Sequence, residues 1–364
     1  MINVTKTFLP PKEKLLNYID RIYNSGWITN NGELVNELEK KLCKHLGVKN
    51  LVLVTNGTLA LQVAYKVLKL KGDVITSPFS FVATTSSLVW ENLNPVFADI
   101  DPETFNIDPD LIKKRINQYT SAILPVHVFG NPCNVVEIEN ICVEHDLKLI
   151  FDAAHAFGIT YNGKSILNYG DASVLSFHAT KIFHTIEGGA IIFKDQANND
   201  LAKMMINFGI TDYDKVDGLG INCKMNEFQA AMGLSVLDEF ETNSANRKLV
   251  WNRYFDAFKY TEALQLQSLQ DGSNRNYSYF PIVFKNEKVL KEVMTNMKKE
   301  DIFPRRYFYP SLNTLNYISE YQVCKKSEGL ASRILCLPIY PGLEEVKQDR
   351  IIEILKEEIN RNES

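Results

Sequence analysis

The sequence lacks a strong charge of either sign, and it lacks any long apolar run. Its 364 residues include 40 Lys and Arg against 44 Asp and Glu, which gives a net charge of −4. Proteins that bind nucleic acid through its phosphates carry a basic excess, so this balance argues against a nucleic-acid partner. The longest apolar stretches, such as residues 51–54 and 122–126, are only as long as strands, and residues 1–11 have no apolar core of a secretory signal. We therefore expect a cytoplasmic protein without a membrane segment.

Paired cysteines and clustered metal ligands are also missing. The 6 cysteines are scattered without a C-x-x-C pair, and the 6 histidines form neither an H-E-x-x-H nor an H-x-x-x-H pattern. Disulfide scaffolds and structural zinc sites need such spacings. The sequence therefore predicts reduced thiols and no protein-bound catalytic metal.

Strand-sized apolar runs alternate with amphipathic helical patterns up to about residue 240. The runs are apolar along most of their length, which is typical of strands covered on both faces of a parallel sheet. Helical patterns lie between them at 59–70, 108–117 and 135–145. The sequence predicts an α/β fold with a central, mostly parallel sheet flanked by helices. Its seven candidate strands are residues 51–55, 74–77, 96–98, 122–128, 147–152, 172–177 and 190–193.

The pattern changes after residue 225. One long or kinked helix is predicted over 227–260, and strands at 279–284 and 334–337 alternate with helices at 287–299 and 346–359. A chain of 364 residues fits two domains of ordinary size. We expect a large domain over residues 1–245 and a smaller α+β domain over residues 246–364.

Two short motifs at predicted strand ends could bind charged groups. The segment 55–58 joins a strand to a helix, where Gly57 permits close approach and Thr58 adds a hydroxyl to the free N–H groups of the helix start. This can be an anion site or an ordinary capped turn. Asp152 ends another apolar strand, where a carboxylate either caps the next turn or pairs with a buried cation.

A third motif is more specific. Ser176-Phe177-His178-Ala179-Thr180-Lys181 follows a buried strand, and Glu187-Gly188-Gly189 returns the chain to the next one. A lysine there can be a snorkelling surface charge. Burial among hydroxyl groups would instead lower its pKa and make it a nucleophile toward a carbonyl.

The three motifs together fit one cofactor, pyridoxal 5′-phosphate. That cofactor needs a lysine for a Schiff base, an acid beside its pyridine nitrogen and a site for its phosphate. Lys181, Asp152 and the segment around Gly57 supply these groups from neighbouring strand ends. Phe81, after a further strand, could stack on the ring or pack in the core.

The sequence resembles the fold-type-I, pyridoxal-phosphate-dependent nucleotide-sugar aminotransferases, the DegT/StrS-like family. The resemblance extends over nearly the whole chain, and its specificity comes from the number and order of short segments. These segments are Gly26-Trp27-Ile28-Thr29, Gly57-Thr58-Leu59-Ala60-Leu61, Pro125-Val126-His127-Val128-Phe129-Gly130, Asp152-Ala153-Ala154-His155, residues 176–181, Gln229-Ala230-Ala231 and Leu337-Pro338.

The resemblance implies roles for the cofactor-site residues. Lys181 would form the Schiff base and move the proton, Asp152 would pair with the pyridine nitrogen, and Phe81 would stack on the ring. His155 stands where the family often has glutamine, near the phenolic oxygen, and its protonation is left open. The phosphate would be held by Gly57, Thr58 and Ser176.

The resemblance also implies a homodimer with shared active sites. An asparagine of the partner would reach the phosphate. Asn222 best fits this position, and the nearby Asn226 is the alternative. The nucleotide sugar would meet residues that include His178 and the arginine pair, although those arginines could equally be a solvated loop. The assigned substrate residues are Trp27, Ile28, Thr29, His178, Arg305 and Arg306.

The implied reaction moves an amino group from L-glutamate to a nucleotide-linked keto-sugar, for surface polysaccharide or glycan synthesis. Related enzymes that act at C4 tend to carry Glu-Gly-Gly after the lysine, as this chain does, so dTDP-4-keto-6-deoxyglucose is the expected acceptor. Amination at C3, a UDP- or GDP-sugar, and a cofactor-binding regulator without turnover are the alternatives. Lys181 argues against the sugar dehydratases of the same fold, which have histidine at this position.

Overall fold

The computed structural model describes residues 1–363, with side chains described through residue 361. The described residues form twelve α-helices. In chain order these are α1 (Lys12–Ser25), α2 (Glu33–Leu46), α3 (Gly57–Val67), α4 (Ala83–Trp90), α5 (Pro109–Lys113), α6 (Val135–Glu144), α7 (Gln196–Met205), α8 (Glu227–Leu237), α9 (Phe240–Phe258), α10 (Glu287–Lys299), α11 (Lys325–Arg333) and α12 (Glu345–Glu363).

The same residues form sixteen β-strands. They are β1 (Ile2–Asn3), β2 (Leu51–Val54), β3 (Asp73–Thr76), β4 (Asn94–Phe97), β5 (Thr120–Leu124), β6 (Lys148–Asp152), β7 (Thr160–Tyr161), β8 (Lys164–Ser165), β9 (Ala172–Ser176), β10 (Gly189–Phe193), β11 (Ile210–Asp212), β12 (Lys215–Val216), β13 (Leu264–Leu266), β14 (Pro281–Phe284), β15 (Ile302–Phe303) and β16 (Ile334–Cys336).

Seven strands form the central sheet in the order β2-β10-β9-β6-β5-β3-β4. Only β10 runs antiparallel to its neighbours, and the other pairings within residues 1–363 of this sheet are parallel. These are the seven strands that the sequence predicts. The prediction of an α/β fold with a mostly parallel sheet is confirmed, because apolar runs buried on both faces leave a clear signal.

The predicted helix over 227–260 is two helices. α8 ends at Leu237 and α9 begins at Phe240, with a turn at residues 238–239. The turn directs the buried Phe240 ring toward His45 and Phe157, whose ring centroids lie 4.9 and 5.1 Å away. Aromatic packing against the large core therefore accounts for the break.

A smaller sheet of order β13-β14-β16 lies in the C-terminal part of the chain. Side chains of α9, α10 and α12 pack with it in a separate apolar cluster, which also includes Ile2. Ile2 reaches this cluster because β1 pairs in parallel with β15. The division after residue 245 stays a prediction; it falls inside α9.

The carboxyl ends of the parallel strands meet at one edge of the central sheet. Asp152 ends β6, Ser176 ends β9, and α3 begins shortly after β2. Open α/β sheets bind ligands at this edge. Among residues 1–363, no helix combines the length and the apolar character needed to cross a bilayer.

Candidate active site

A cavity of about 380 Å³ opens at the carboxyl edge of the central sheet. Its walls come from the start of α3, the ends of β6 and β9, the start of α4 and a segment of the C-terminal part. Eight of the sequence-predicted residues line it together with Lys181, namely Gly57, Thr58, Phe81, Asp152, His155, Ser176, His178 and Arg305. The structure thus brings the three predicted motifs to one site.

Lys181 lies in the cavity wall on the turn that follows β9. Its Nζ is 3.5 Å from the Tyr279 hydroxyl, a long contact, and its backbone N–H donates to the His178 carbonyl at 2.9 Å. Burial lowers the pKa of Lys181 to about 8, against the opposing attraction of the Asp152 charge. A lysine with this pKa carries a sizeable fraction of neutral, nucleophilic amine near neutral pH.

Asp152 is buried at the end of β6 and also faces the cavity. One carboxylate oxygen accepts from the Thr84 hydroxyl at 2.8 Å and the other from the Ala154 N–H at 3.1 Å. Burial raises the pKa of this carboxyl, while these two donors and the Lys181 charge act in the opposite direction. A cationic ring nitrogen placed beside it would compensate the burial and hold the carboxylate ionised.

His155 lies in the wall as a neutral imidazole. Burial is the first cause that lowers its pKa well below the ordinary value, and the Lys181 charge adds to it. Nδ1 accepts from the Phe129 N–H in a long contact of 3.4 Å, which favours the tautomer with the proton on Nε2. The ring stacks on Phe308 at a centroid distance of 5.5 Å and an interplanar angle of 3°.

The start of α3 forms an anion cradle with the end of β9. The Asn56 side chain caps the helix by accepting from the Leu59 N–H at 2.9 Å, and the N–H groups of Gly57 and Thr58 belong to the first turn. A Cβ on Gly57 would lie 3.0 Å from the Ser176 Cβ, and one on Gly189 would lie 2.8 Å from the Asn56 backbone. A Cβ does not fit at Gly189, and one at Gly57 would press on the Ser176 side chain. The cradle places helix N–H groups beside a serine hydroxyl.

The two adjacent arginines have different environments. Arg305 lines the cavity, with its guanidinium 4.6 Å from the Tyr307 ring centroid. Arg306 lies outside the cavity lining; it pairs with Glu287 at 3.0 Å and donates to the carbonyls of Ala331 and Ser332. Its donors connect α10 and α11, apart from the cavity residues, and its assignment to the substrate stays a prediction.

The segment Trp27-Ile28-Thr29 and Asn222 also lie outside the cavity lining of the single chain. Trp27 and Ile28 are 54% and 57% exposed, which leaves an apolar surface facing outward. Asn226 caps α8 through a capping box with Gln229, whereas the side chain of Asn222 is exposed. The Oδ1 of Asn222 accepts from Lys224 Nζ at 3.0 Å, and the choice between the two asparagines stays a prediction.

Several residues that line or support the site carry no clear marker in the sequence. Thr84, which orients Asp152, stands three positions after Phe81 on α4, and a hydroxyl near a predicted ring-stacking residue is a weak signal. Tyr279, Tyr307 and Phe308 come from the C-terminal part of the chain, and only the tertiary fold brings them to the sheet edge.

Known proteins match this chain over nearly its full length. The profile of the DegT/DnrJ/EryC1/StrS aminotransferase family matches residues 11–356. The chain belongs to this family. A relative from Shigella dysenteriae named dTDP-4-amino-4,6-dideoxy-D-glucose transaminase is 41% identical and aligns over 98% of each chain. A relative of the same name from Escherichia coli is 38% identical over 97% of this chain and 98% of its own.

A solved structure of similar fold is that of DesI, determined in the presence of its TDP-sugar product. It superposes with a TM-score of 0.94 at 32% identity, over 99% of this chain and 93% of DesI. This aminotransferase therefore shares the fold of that structure over nearly the whole of both chains.

Pyridoxal 5′-phosphate is the cofactor of this aminotransferase, and the cavity fits it. Among the described residues, the buried Asp152 carboxylate has no cationic hydrogen-bond partner. A protonated pyridine nitrogen would supply that partner. The α3 cradle would hold the phosphate, Lys181 would hold the aldehyde carbon and Phe81, 49% exposed, would cover the ring. The Nε2 proton of His155 would serve an oxygen acceptor on the ring.

Proposed function

We propose that this aminotransferase transfers the amino group of L-glutamate to C4 of dTDP-4-keto-6-deoxyglucose, giving dTDP-4-amino-4,6-dideoxyglucose. The observation that carries the proposal is that Lys181, Asp152 and an anion cradle lie in one cavity. The choice of sugar is supported by the two relatives at 41% and 38% identity, whose names state this product. The cytoplasmic location stays a prediction from the sequence.

Different residues of the cavity would have different roles in such a reaction. When bound, pyridoxal phosphate supplies an electrophilic carbon and a ring that accepts electron density. Lys181, with its pKa lowered to about 8, would take the proton from the donor carbon and return one to the sugar carbon. Asp152 would keep the ring nitrogen protonated, and Arg305 would meet the nucleotide diphosphate at the cavity wall.

The direct test separates the two half-reactions. The enzyme is first converted by L-glutamate to its amine form, freed of small molecules, and mixed with a panel of keto-sugar nucleotides while the cofactor absorbance is followed. We expect the 4-keto dTDP sugar to restore the aldehyde form fastest. A preference for a 3-keto isomer would favour 3-amination, and a preference for a UDP- or GDP-linked sugar would contradict the choice of the dTDP sugar.

The active enzyme is proposed to be a homodimer in which Asn222 crosses to the partner's cofactor phosphate. The exposed apolar side chains of Trp27, Ile28, Phe208 and Leu219 support an interface near this position. Exposed apolar surface of this kind is typical of subunit contacts.

Subunit mixing tests the shared site. Lys181→Ala and Asn222→Ala, each inactive or impaired alone, should regain activity when unfolded and refolded together, because mixed dimers contain one intact site. An equimolar mixture with no gain over the separate variants would contradict the shared site, and Asn226→Ala paired with Lys181→Ala is the matched control.

A further inference from the structure

A strained turn at residues 184–189 projects the Glu187 side chain into the cavity. Ile186 has φ +71°, a left-handed conformation that β-branched residues rarely adopt, and its side chain is 50% exposed. Strain of this kind persists only where surrounding contacts impose it, and it concentrates at functional sites. The strain at Ile186 therefore indicates that this turn has a functional role in addition to reversing the chain.

Three hydrogen bonds hold the backbone of this turn. The Ile186 N–H donates to Nδ1 of the buried His184 at 3.3 Å. The Glu187 carbonyl accepts from the Thr185 hydroxyl at 2.8 Å and from Gln229 Nε2 at 2.7 Å. His184 is itself anchored by an Nε2 contact of 2.7 Å to the Phe8 carbonyl, so this histidine supports the turn and does not face the cavity.

The carboxylate of Glu187 takes no part in holding the turn. Its Oε1 lies 3.4 Å from Nε2 of His178, and both residues line the cavity. Nδ1 of His178 makes a 2.8 Å hydrogen bond with the Thr180 hydroxyl, which orients the ring toward Glu187. The two side chains are 46% and 56% exposed, so the pair contributes little to folding stability.

From this geometry we infer that Glu187 accepts a hydrogen bond from a ring hydroxyl next to the reacting carbonyl of the acceptor sugar, with His178 as its positioning residue. The inference rests on the proposed function. The reacting carbon must reach Lys181, and His178 and Thr180 belong to the same turn as that lysine. A hydroxyl on the neighbouring sugar carbon would therefore lie at the wall that carries Glu187.

Charge distinguishes the two substrates at this position. L-glutamate brings two carboxylates, which a carboxylate on the wall repels, whereas a sugar hydroxyl donates to it. Glu187 should consequently act in the sugar half-reaction and be dispensable in the glutamate half-reaction.

The test measures both half-reactions of the holoenzyme for Glu187→Gln and His178→Gln, with the exposed Glu262→Gln as control. We expect Glu187→Gln to lower kcat/KM for the keto-sugar nucleotide by roughly 10- to 100-fold, the usual effect of losing a charged hydrogen bond. His178→Gln should lower it by about 3- to 10-fold as an indirect effect. The glutamate half-reaction should stay within about twofold for all three variants, which also shows that they fold.

A second measurement uses an acceptor analogue with hydrogen in place of the neighbouring hydroxyl, which gives a thermodynamic cycle between the residue and the substrate group. The analogue should lower the rate of the unmodified enzyme and add no further loss in Glu187→Gln, because the two changes remove the same contact. The role of Glu187 would be overturned, and the proposed function left standing, by any of three results. These are equal losses in both half-reactions, no loss in either, and fully additive losses with the analogue. Failure of the unmodified enzyme with every keto-sugar nucleotide would overturn the proposed function as well.

Discussion

Two buried carboxylates in this molecule have opposite surroundings. Glu227, at the start of α8, accepts from the N–H groups of Leu34 and Val35, each at 2.9 Å, and thereby caps the first turn of α2. Asp152 accepts from one hydroxyl and one N–H, faces a lysine and borders an open cavity. The first carboxylate joins two helices, and the second faces a cavity where a ligand can also donate to it.

In this fold, one buried carboxylate serves folding stability and the other serves the reaction. A carboxylate at a helix start is satisfied by N–H groups and by the helix dipole, so its loss should weaken folding. A carboxylate whose pKa is raised by burial and that lines a cavity is held there by the surrounding scaffold, and its loss should weaken the reaction.

Removing the lysine that faces Asp152 should have the largest effect. Lys181→Ala should lower the rate of the glutamate half-reaction by roughly 10³-fold or more, because the nucleophile and the proton carrier disappear together. Single-turnover absorbance measurements report this rate, and Lys194→Ala at an exposed position is the control. A Lys181→Ala enzyme that keeps a tenth of the original rate would contradict the assignment.

Exchanging each carboxylate for an amide separates the two roles. Asp152→Asn should lower turnover by about 10²-fold with little change in the urea midpoint, since the ring nitrogen loses its anionic partner. Glu227→Gln should lower the free energy of unfolding by about 1–3 kcal/mol, with a smaller effect on turnover per folded molecule. The comparison fails if the two variants show the same balance of stability and activity.

The pH dependence of cofactor capture sharpens the role of Asp152. Because the neutral amine reacts, the rate at which the apoprotein binds pyridoxal phosphate covalently should rise with pH and level off above about 8, the pKa of Lys181. Asp152→Asn removes a charge that favours the ammonium form, so its curve should move to lower pH. Glu227→Gln should leave the curve in place. Stopped-flow absorbance over a pH series measures all three curves.

The two neighbouring arginines should give the smallest effects. Arg305→Ala should raise KM for the nucleotide sugar about tenfold, through loss of an anion contact in the cavity. Arg306→Ala should leave KM unchanged and lower the free energy of unfolding by about 1 kcal/mol, because it removes contacts between α10 and α11. Steady-state kinetics and urea unfolding of both variants provide the check, and a KM effect from Arg306 would contradict the assignment.

The sequence predicted the central sheet well and the C-terminal wall of the cavity poorly. The seven strands are buried on both faces, so their apolar runs are visible without tertiary information. Arg305 and Arg306 are the same residue type at adjacent positions, and sequence alone does not distinguish them. Backbone pairing of Arg305 with Cys336, at 3.1 and 2.8 Å, determines which arginine faces the cavity.

The same difference applies to the site residues: those placed by the sheet topology were predicted, and those placed by tertiary packing were not. Lys181, Asp152 and Gly57 lie at strand ends or the start of a helix, so the topology alone brings them together. Thr84 reaches Asp152, and Tyr279 reaches the cavity, only through tertiary packing, and their sequence neighbours carry no pattern that marks them.

Borohydride reduction of the protein with pyridoxal phosphate tests the central claim most directly. Peptide mass mapping should find a single cofactor-derived modification, on Lys181, and Asp152→Asn should keep that modification while losing turnover. Labelling of a different lysine, or no covalent labelling of the purified protein, would contradict the account.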